Sequence, residues 1–258
     1  MEKLIDNDDE PVGRVLTRRD AILLLGGLGA GGLLWLAGCS GSDTTGISDT
    51  GNGGGSLDCA VKPALTEGPY YVDENLTRSD IRADSSTGTL QDGALLALTF
   101  NVSWIGSNAC SRLAGAIVDV WHCNALGVYS DTQDPGFNTV GQDWLRGNQL
   151  TDASGVASFT TIVPGWYSGR ATHIHFKIRS AASASSTYEF TSQLFFDESF
   201  LTALYTGQAP YTTKGDSGRL RNASDGIYNQ GGSELLLSTT AIGSGYAAAI
   251  NIGLDLSA

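Results

Sequence analysis

Basic side chains are scarce: Lys and Arg number 15 against 27 Asp and Glu, which leaves a formal charge of −12. A nucleic-acid binder needs clustered cations to displace counterions from phosphates, so this deficit sets nucleic acid aside as a partner. Methionine occurs once, proline six times and histidine three times in 258 residues. Against those shortages stand 34 glycines and an aromatic content of 9%, a composition that suits short strands and tight turns better than a helical bundle. With 41% hydrophobic residues the chain can bury a core, and an all-β sandwich of this length runs as one domain.

Long continuous apolar runs are also lacking, with one exception from Ala21 to Ala37. That run is too short and too rich in glycine for a membrane span, and Arg14, Arg18 and Arg19 precede it, so residues 1–38 are expected to be an export signal. Thr17-Arg18-Arg19-Asp20 resembles a twin-arginine signal, although Ala21 stands where Phe is usual. Leu36-Ala37-Gly38-Cys39 resembles a bacterial lipoprotein box, which makes Cys39 the expected lipidation site and membrane anchor of an exported cell-envelope protein. Residues 39–56 are dominated by Gly, Ser, Thr, Asp and Asn, which cannot bury enough apolar surface to order themselves and are expected to form a flexible tether. Residues 57–258 are then expected to form one folded domain that carries whatever chemistry the chain has. Of the remaining cysteines, Cys59, Cys110 and Cys123, one disulfide is expected in an oxidising compartment, and the spacing leaves the pairing open.

Past the tether the apolar pattern has period two. Leu96, Leu98, Phe100, Val102 and Trp104 alternate with smaller or polar residues, and Ile117, Asp119 and Trp121 alternate with Val118, Val120 and His122. Further strands are predicted over 156–163, 172–179 and 190–196, the first stopping at Pro164-Gly165 because proline cannot continue a central ladder. The fold class expected is all-β, an antiparallel sandwich with long loops and little helix. Asp131 to Leu150 shows neither period and is expected to be a long excursion of functional use.

His173-Ile174-His175 is the most informative tripeptide, because a pleated strand points residues i and i+2 to one face about 6.5 Å apart. Ile174, Phe176 and Ile178 take the other face and anchor the strand. Two imidazoles displayed on a rigid element suit a metal, although two histidines on a solvated face would give the same pattern. Further donors are wanted. Asp, Glu and Cys are absent nearby, but Tyr167 lies six residues before His173 and Tyr129 follows the Gly127 turn. A phenol titrates near pH ~10, so a tyrosinate ligand calls for a strongly Lewis-acidic cation such as ferric iron.

These residues sit within longer motifs. Leu65-Thr66-Glu67-Gly68-Pro69-Tyr70-Tyr71, Arg78-Ser79-Asp80-Ile81-Arg82, the run from Gly115 to Cys123, Gly127-Val128-Tyr129-Ser130 and the run from Pro164 to Phe176 together resemble the intradiol ring-cleavage dioxygenases, the protocatechuate and catechol dioxygenase family. The resemblance spans Leu65 to Phe196 in unchanged order. It implies one Fe(III) per chain held by Tyr129, Tyr167, His173 and His175, with solvent hydroxide completing the site and Tyr167 and His175 axial. Arg170 matches the family's active-site arginine, Gln193 a glutamine beside the dioxygen pocket, and Tyr71 a substrate-pocket tyrosine. Trp166 is a candidate for the pocket lining, and Arg146 and Lys177 are candidate counter-charges for an anionic substrate.

The implied activity is cleavage of a catechol-type ring between its hydroxylated carbons, both atoms of dioxygen entering a muconate-type product while iron stays ferric. Only two residues separate Tyr167 from Arg170, fewer than in typical protocatechuate enzymes, so the pocket wall there must differ. Export implies attack on aromatics outside the cytoplasm. Two other readings stand beside this one: an exported binding module for an aromatic or carbohydrate ligand without catalysis, and a zinc or copper site on the two histidines. His122, without a second partner in sequence, reads as structural. Assembly into an oligomer is left open.

Overall fold

Alternating apolar side chains at Leu96, Leu98, Phe100 and Val102 put one fully buried face on the longest strands of the protein, beginning with β1 (Leu95–Ile105). The structure is a computed structural model and describes residues 61–106, 110–181, 184 and 187–255. The expected export signal, tether and Cys39 anchor lie outside the described residues.

Strand β2 (Cys110–Arg112) and β3 (Ala116–Trp121) follow β1, then the two-residue strands β4 (Gln133–Asp134) and β5 (Phe137–Asn138), which pair with each other. Next come β6 (Arg146–Leu150), β7 (Val156–Ile162), β8 (His173–Ser180) and β9 (Glu189–Phe196). Among the described residues one α-helix, α1 (Glu198–Gly207), starts where Asp197 accepts the amides of Ser199 and Phe200 and buries Leu201, Leu204 and Tyr205. Short 3₁₀ turns lead to β10 (Leu236–Leu237), β11 (Thr240–Ile242) and β12 (Gly245–Asp255). Among the described residues no helix is long and apolar enough to cross a membrane.

Two sheets result. In the first, β1 lies between β12 on one side and β7 and β2 on the other, with β11 beyond β12; the second runs β10-β9-β8-β3-β6. Phe100 from the first meets Phe176 from the second at a ring separation of 5.2 Å, the face-to-face contact of a sandwich. The all-β sandwich is therefore as expected, with one difference: the β1–β12 and β10–β9 pairs are parallel. Asp131 to Leu150 differs more. Its last five residues are a strand, β6, paired antiparallel to β3. Arg146 and Asn148 on it are buried, so polar side chains occupy positions where a periodicity search looks for apolar ones.

Cys110 is disulfide-bonded and Cys123 is a free, buried thiol. The motif around Arg78 is a clamp: its guanidinium donates to the carbonyls of Arg146, Ala83 and Asp143 at 2.9, 2.8 and 2.5 Å. That joins the segment before β1 to the edge strand β6.

Candidate functional site

The register of the second sheet decides which side chains gather. Strand β8 pairs His175 with Trp121 of β3 on one side and with Gln193 of β9 on the other, and His173 with Phe195. Residues directly opposite share a face, so the two histidines, Trp121 and Gln193 all point away from the core that Ile174, Phe176 and Ile178 fill. Trp121 stacks on His175, the rings 5.0 Å apart and 9° from parallel.

Two turns bring the tyrosines to this face. Strand β3 ends at Trp121, and the chain reverses at Gly127 (φ +85°) before Tyr129. Pro164-Gly165 ends β7 and delivers Tyr167. The turns interlock: Gly165 N–H donates to Asn124 O at 3.0 Å, and a Cβ at either glycine would collide with backbone of the other turn. Lys214 Nζ clips both by donating to Trp166 O at 2.6 Å and Leu126 O at 3.2 Å.

Four donor atoms converge as a result. His173 Nε2 lies 2.9 Å from His175 Nε2, 3.3 Å from Tyr167 Oη and 3.5 Å from Tyr129 Oη. His173 Nδ1–H donates to Ala171 O at 2.6 Å, which fixes the tautomer and turns the Nε2 lone pair inward. Burial, reinforced by the Arg170 charge, lowers His173 to about 3, and burial with the neighbouring His173 depresses His175 well below the ordinary value, so both imidazoles are neutral and their lone pairs are available to a cation. Burial raises the phenols of Tyr129 and Tyr167, and a tyrosinate at either position needs a compensating cation.

Among the described residues no three His, Cys, Asp or Glu side chains gather for a metal, so a cation here would draw on the tyrosine oxygens. The donor set fits one. Two nitrogens each about 2.1 Å from a shared cation and at right angles are about 3 Å apart, the separation of the histidine nitrogens. Nitrogen with phenol oxygen suits a hard, strongly Lewis-acidic ion better than zinc.

Around the donors, Tyr70 stacks on Tyr129 at 4.4 Å and donates to Asp134 Oδ2 at 3.1 Å, which ties the β4–β5 hairpin to the site. Arg170 Nη2 donates to Gln193 Oε1 at 2.6 Å, and Gln193 Nε2 donates to Thr66 O at 2.8 Å. Arg170 Nε and Ala171 N–H both donate to Asp225 Oδ2, at 3.0 and 2.6 Å. Burial pushes the Asp225 carboxyl up, but the Arg170 charge and the hydrogen bonds it accepts outweigh that and hold it below the ordinary value.

Six residues singled out in the sequence therefore meet: Tyr129, Tyr167, Arg170, His173, His175 and Gln193. Tyr71 contacts Trp121 at 4.8 Å and reaches the histidines through that ring. Trp166 turns aside, its Nε1–H donating to Gly215 O at 2.7 Å with Lys214 over its ring. The two candidate counter-charges are otherwise engaged. Arg146 is buried behind Tyr129, donating to Ser130 Oγ at 2.9 Å and Ser130 O at 2.7 Å. Lys177 pairs with Glu67 and, at 3.3 Å, Glu189. His122 is structural as read, its ring nitrogens on Cys123 O and Thr161 Oγ1. Sequence reasoning missed Asp225 entirely and gave Tyr70 no role.

Comparisons with known proteins show the family to which the chain is similar. The model of a family described as "Dioxygenase" matches residues 66–208, more than half of the chain. Catechol 1,2-dioxygenase 2 of Acinetobacter lwoffii is 34% identical over 155 residues, 52% of this chain and 51% of that protein. The chain spans about half the length of the curated relatives it matches. Among solved structures, an intradiol ring-cleavage dioxygenase from Tetranychus urticae is similar with a TM-score of 0.65 at 28% identity, over 76% of this chain and 95% of its own. The dioxygenase domain of a dioxygenase carbohydrate-binding protein fusion from Streptomyces sp. SirexAA-E is similar with a TM-score of 0.54 at 26% identity, over 77% and 100%.

Proposed function

Since this chain belongs to the intradiol ring-cleavage dioxygenase family, we propose that it opens catechol-type rings between their hydroxylated carbons, with Tyr129, Tyr167, His173 and His175 holding one ferric ion. The observation that carries this reading is the convergence of the neutral His175 Nε2 and two phenol oxygens within 3.5 Å of His173 Nε2. The names of the curated relatives, catechol and chlorocatechol 1,2-dioxygenases, support the substrate class.

Ferric iron in this setting would supply the Lewis acidity that lets a catechol bind as a dianion and react with dioxygen. The protein does the rest. Tyr129 is fully buried under Tyr70 and backed by Arg146 through Ser130, so it keeps its position. Tyr167 is partly exposed on a loop, and its Oη is suited to take one catechol proton and swing aside. Arg170 keeps a fixed positive charge beside the donors, held by Gln193 and Asp225, where it stabilises negative charge that develops on the ring. Trp121 and Tyr70 wall the donors from solvent, and Tyr71 is assigned to the outer part of the substrate pocket. Trp166 acts through the backbone it fixes, next to Tyr167.

The test is oxygen uptake by the iron-loaded protein with catechol. One dioxygen consumed per ring, with a muconate-type product in the ultraviolet, is expected. Tight catechol binding without uptake would return the chain to the binding-module reading. We also propose residues 1–38 as export signal, 39–56 as tether and 57–258 as catalytic domain, with Cys39 acylated at the cell envelope. Fatty-acid labelling that persists in Cys39→Ala would contradict that assignment.

A further inference from the structure

Arg170 is a permanent cation beside the donor cluster, and its direction is set by groups outside that cluster. Nη2 is fixed by Gln193, itself fully buried and anchored to Thr66 O. Nε is fixed by Asp225, which is 1% exposed and comes from a turn between two 3₁₀ segments, Asn222–Ser224 and Tyr228–Gln230. That turn lies beyond residues 66–208, the part that matches the family. It is itself tied down: Asn222 Nδ2 donates to Phe196 O at 2.9 Å and Asn222 N–H to Glu198 Oε1 at 2.6 Å, at the junction of β9 and α1.

We infer that Asp225 is the positioning residue for Arg170, gripping the guanidinium and the adjoining peptide with one carboxylate oxygen so that a single edge of the guanidinium is left for substrate.

Both oxygens of Asp225 are committed. Oδ2 accepts from Arg170 Nε and Ala171 N, and Oδ1 accepts from Ile227 N at 2.7 Å and Tyr228 N at 3.0 Å. Four N–H donors thus point at one side chain, and only a carboxylate offers two acceptor-only oxygens to meet them. An amide of the same shape has one acceptor and would turn two N–H donors onto two more, leaving buried donors unpaired. Arginine is gripped at both ends of a short lever: its Nε is held by the same atom that holds the amide of the next residue. With Nε and Nη2 occupied, Nη1 has no partner among the described residues and is the remaining donor edge. A buried ion pair adds little to stability over apolar packing but fixes geometry, which is what a charge aimed at a developing carbanion needs.

This inference rests on the dioxygenase reading for its kinetic consequence, and the test separates the two. In apo full-length protein labelled with ¹⁵N, the Arg170 Nε–H signal, identified by its loss in Arg170→Lys, is expected to exchange with solvent roughly tenfold or more slowly than a free arginine side chain. Exchange as fast as free arginine overturns the proposal whether or not the enzyme turns over. In the iron-loaded enzyme, Asp225→Asn is expected to lower kcat on the order of 10²-fold with the visible tyrosinate band in place and KM changed less. Arg170→Gln carries the same loss already, so adding Asp225→Asn to it should change kcat less than about threefold. Losses that multiply would mean Asp225 acts through something other than Arg170 and overturn the proposal. Should Asp225→Asn not fold, the exchange measurement decides alone. Wild-type protein without turnover refutes the dioxygenase reading and leaves the exchange result standing.

Discussion

Gly127 is where the two tyrosine-bearing turns touch, and Gly127→Ala is the substitution through which the packing of those turns is best probed. The residue has φ +85°, and an added Cβ would collide with the carbonyl of Trp166, the residue before Tyr167. Two costs follow. Holding alanine in the left-handed region costs about 1–2 kcal/mol, and forcing backbone apart against a packed neighbour adds about 1–3 kcal/mol. In a domain of this size each kcal/mol lowers Tm by about 2–4 °C, so a loss of roughly 4–20 °C is expected. Gly141→Ala is the control, since φ there is +83° and nothing lies within 4 Å of the added Cβ. It carries only the conformational cost, a few degrees. The assay is calorimetry of both apo variants, followed by iron titration. Gly127→Ala should also bind iron more weakly, because the displaced carbonyl moves the peptide of Tyr167. Equal Tm losses at the two positions would refute the close-approach reasoning, and unchanged iron affinity would refute the link to Tyr167.

Three further outcomes are expected. Tyr129→Phe should lose the tyrosinate band in the catechol complex and leave only the catecholate-to-iron absorption, while Tyr167→Phe should retain a Tyr129-derived band in the free and catechol-bound states; identical spectra for the two variants would contradict their separate roles. Burial, despite its hydrogen bond to Cys123 O, lowers His122 to about 4, below the unfolded value near ~6.5. The unfolded chain therefore binds the extra proton first, and stability present above pH ~6.5 falls as the pH drops toward 4, by of order 3 kcal/mol. Urea denaturation across that window should show this slope reduced in His122→Gln, and an unchanged slope would remove His122 as its source. Burial pushes the Cys123 thiol up to about 12, so iodoacetamide should leave it unmodified in the native protein and label it on unfolding, as read by peptide mass spectrometry.

Legibility followed the hydrophobic pattern. The predicted strands over 156–163, 172–179 and 190–196 correspond to β7, β8 and β9, because each has an apolar face that packs between the sheets. Strand β6 escaped notice since Arg146 and Asn148 are buried by hydrogen bonds rather than by apolar contact. Strand β12 did too: Ala247, Ala248 and Ala249 blur its alternation, and its parallel pairing with β1 spans the whole domain. At the site, the His173–His175 pair was readable because the pleat alone sets its geometry. Tyr129 and Tyr167 were offered as donors by their places beside turns, and the resemblance singled them out as a set, since their approach depends on two interlocking turns far apart in sequence. Arg146 and Lys177 looked like free cations only because Ser130, Glu67 and Glu189 are distant or unremarkable neighbours in the chain. Asp225 carries no motif at all; its meaning arises only when the fold brings it to Ala171 across a sequence separation of 54 residues.

The most direct measurement of the central claim is the visible spectrum of the purified protein, iron-loaded, before and after anaerobic addition of catechol. Two tyrosinates on ferric iron predict a red-brown band that shifts when catechol binds through both oxygens. A protein that stays colourless after ferric loading would contradict the account and leave a β-sandwich whose converging tyrosines and histidines serve something other than ring cleavage.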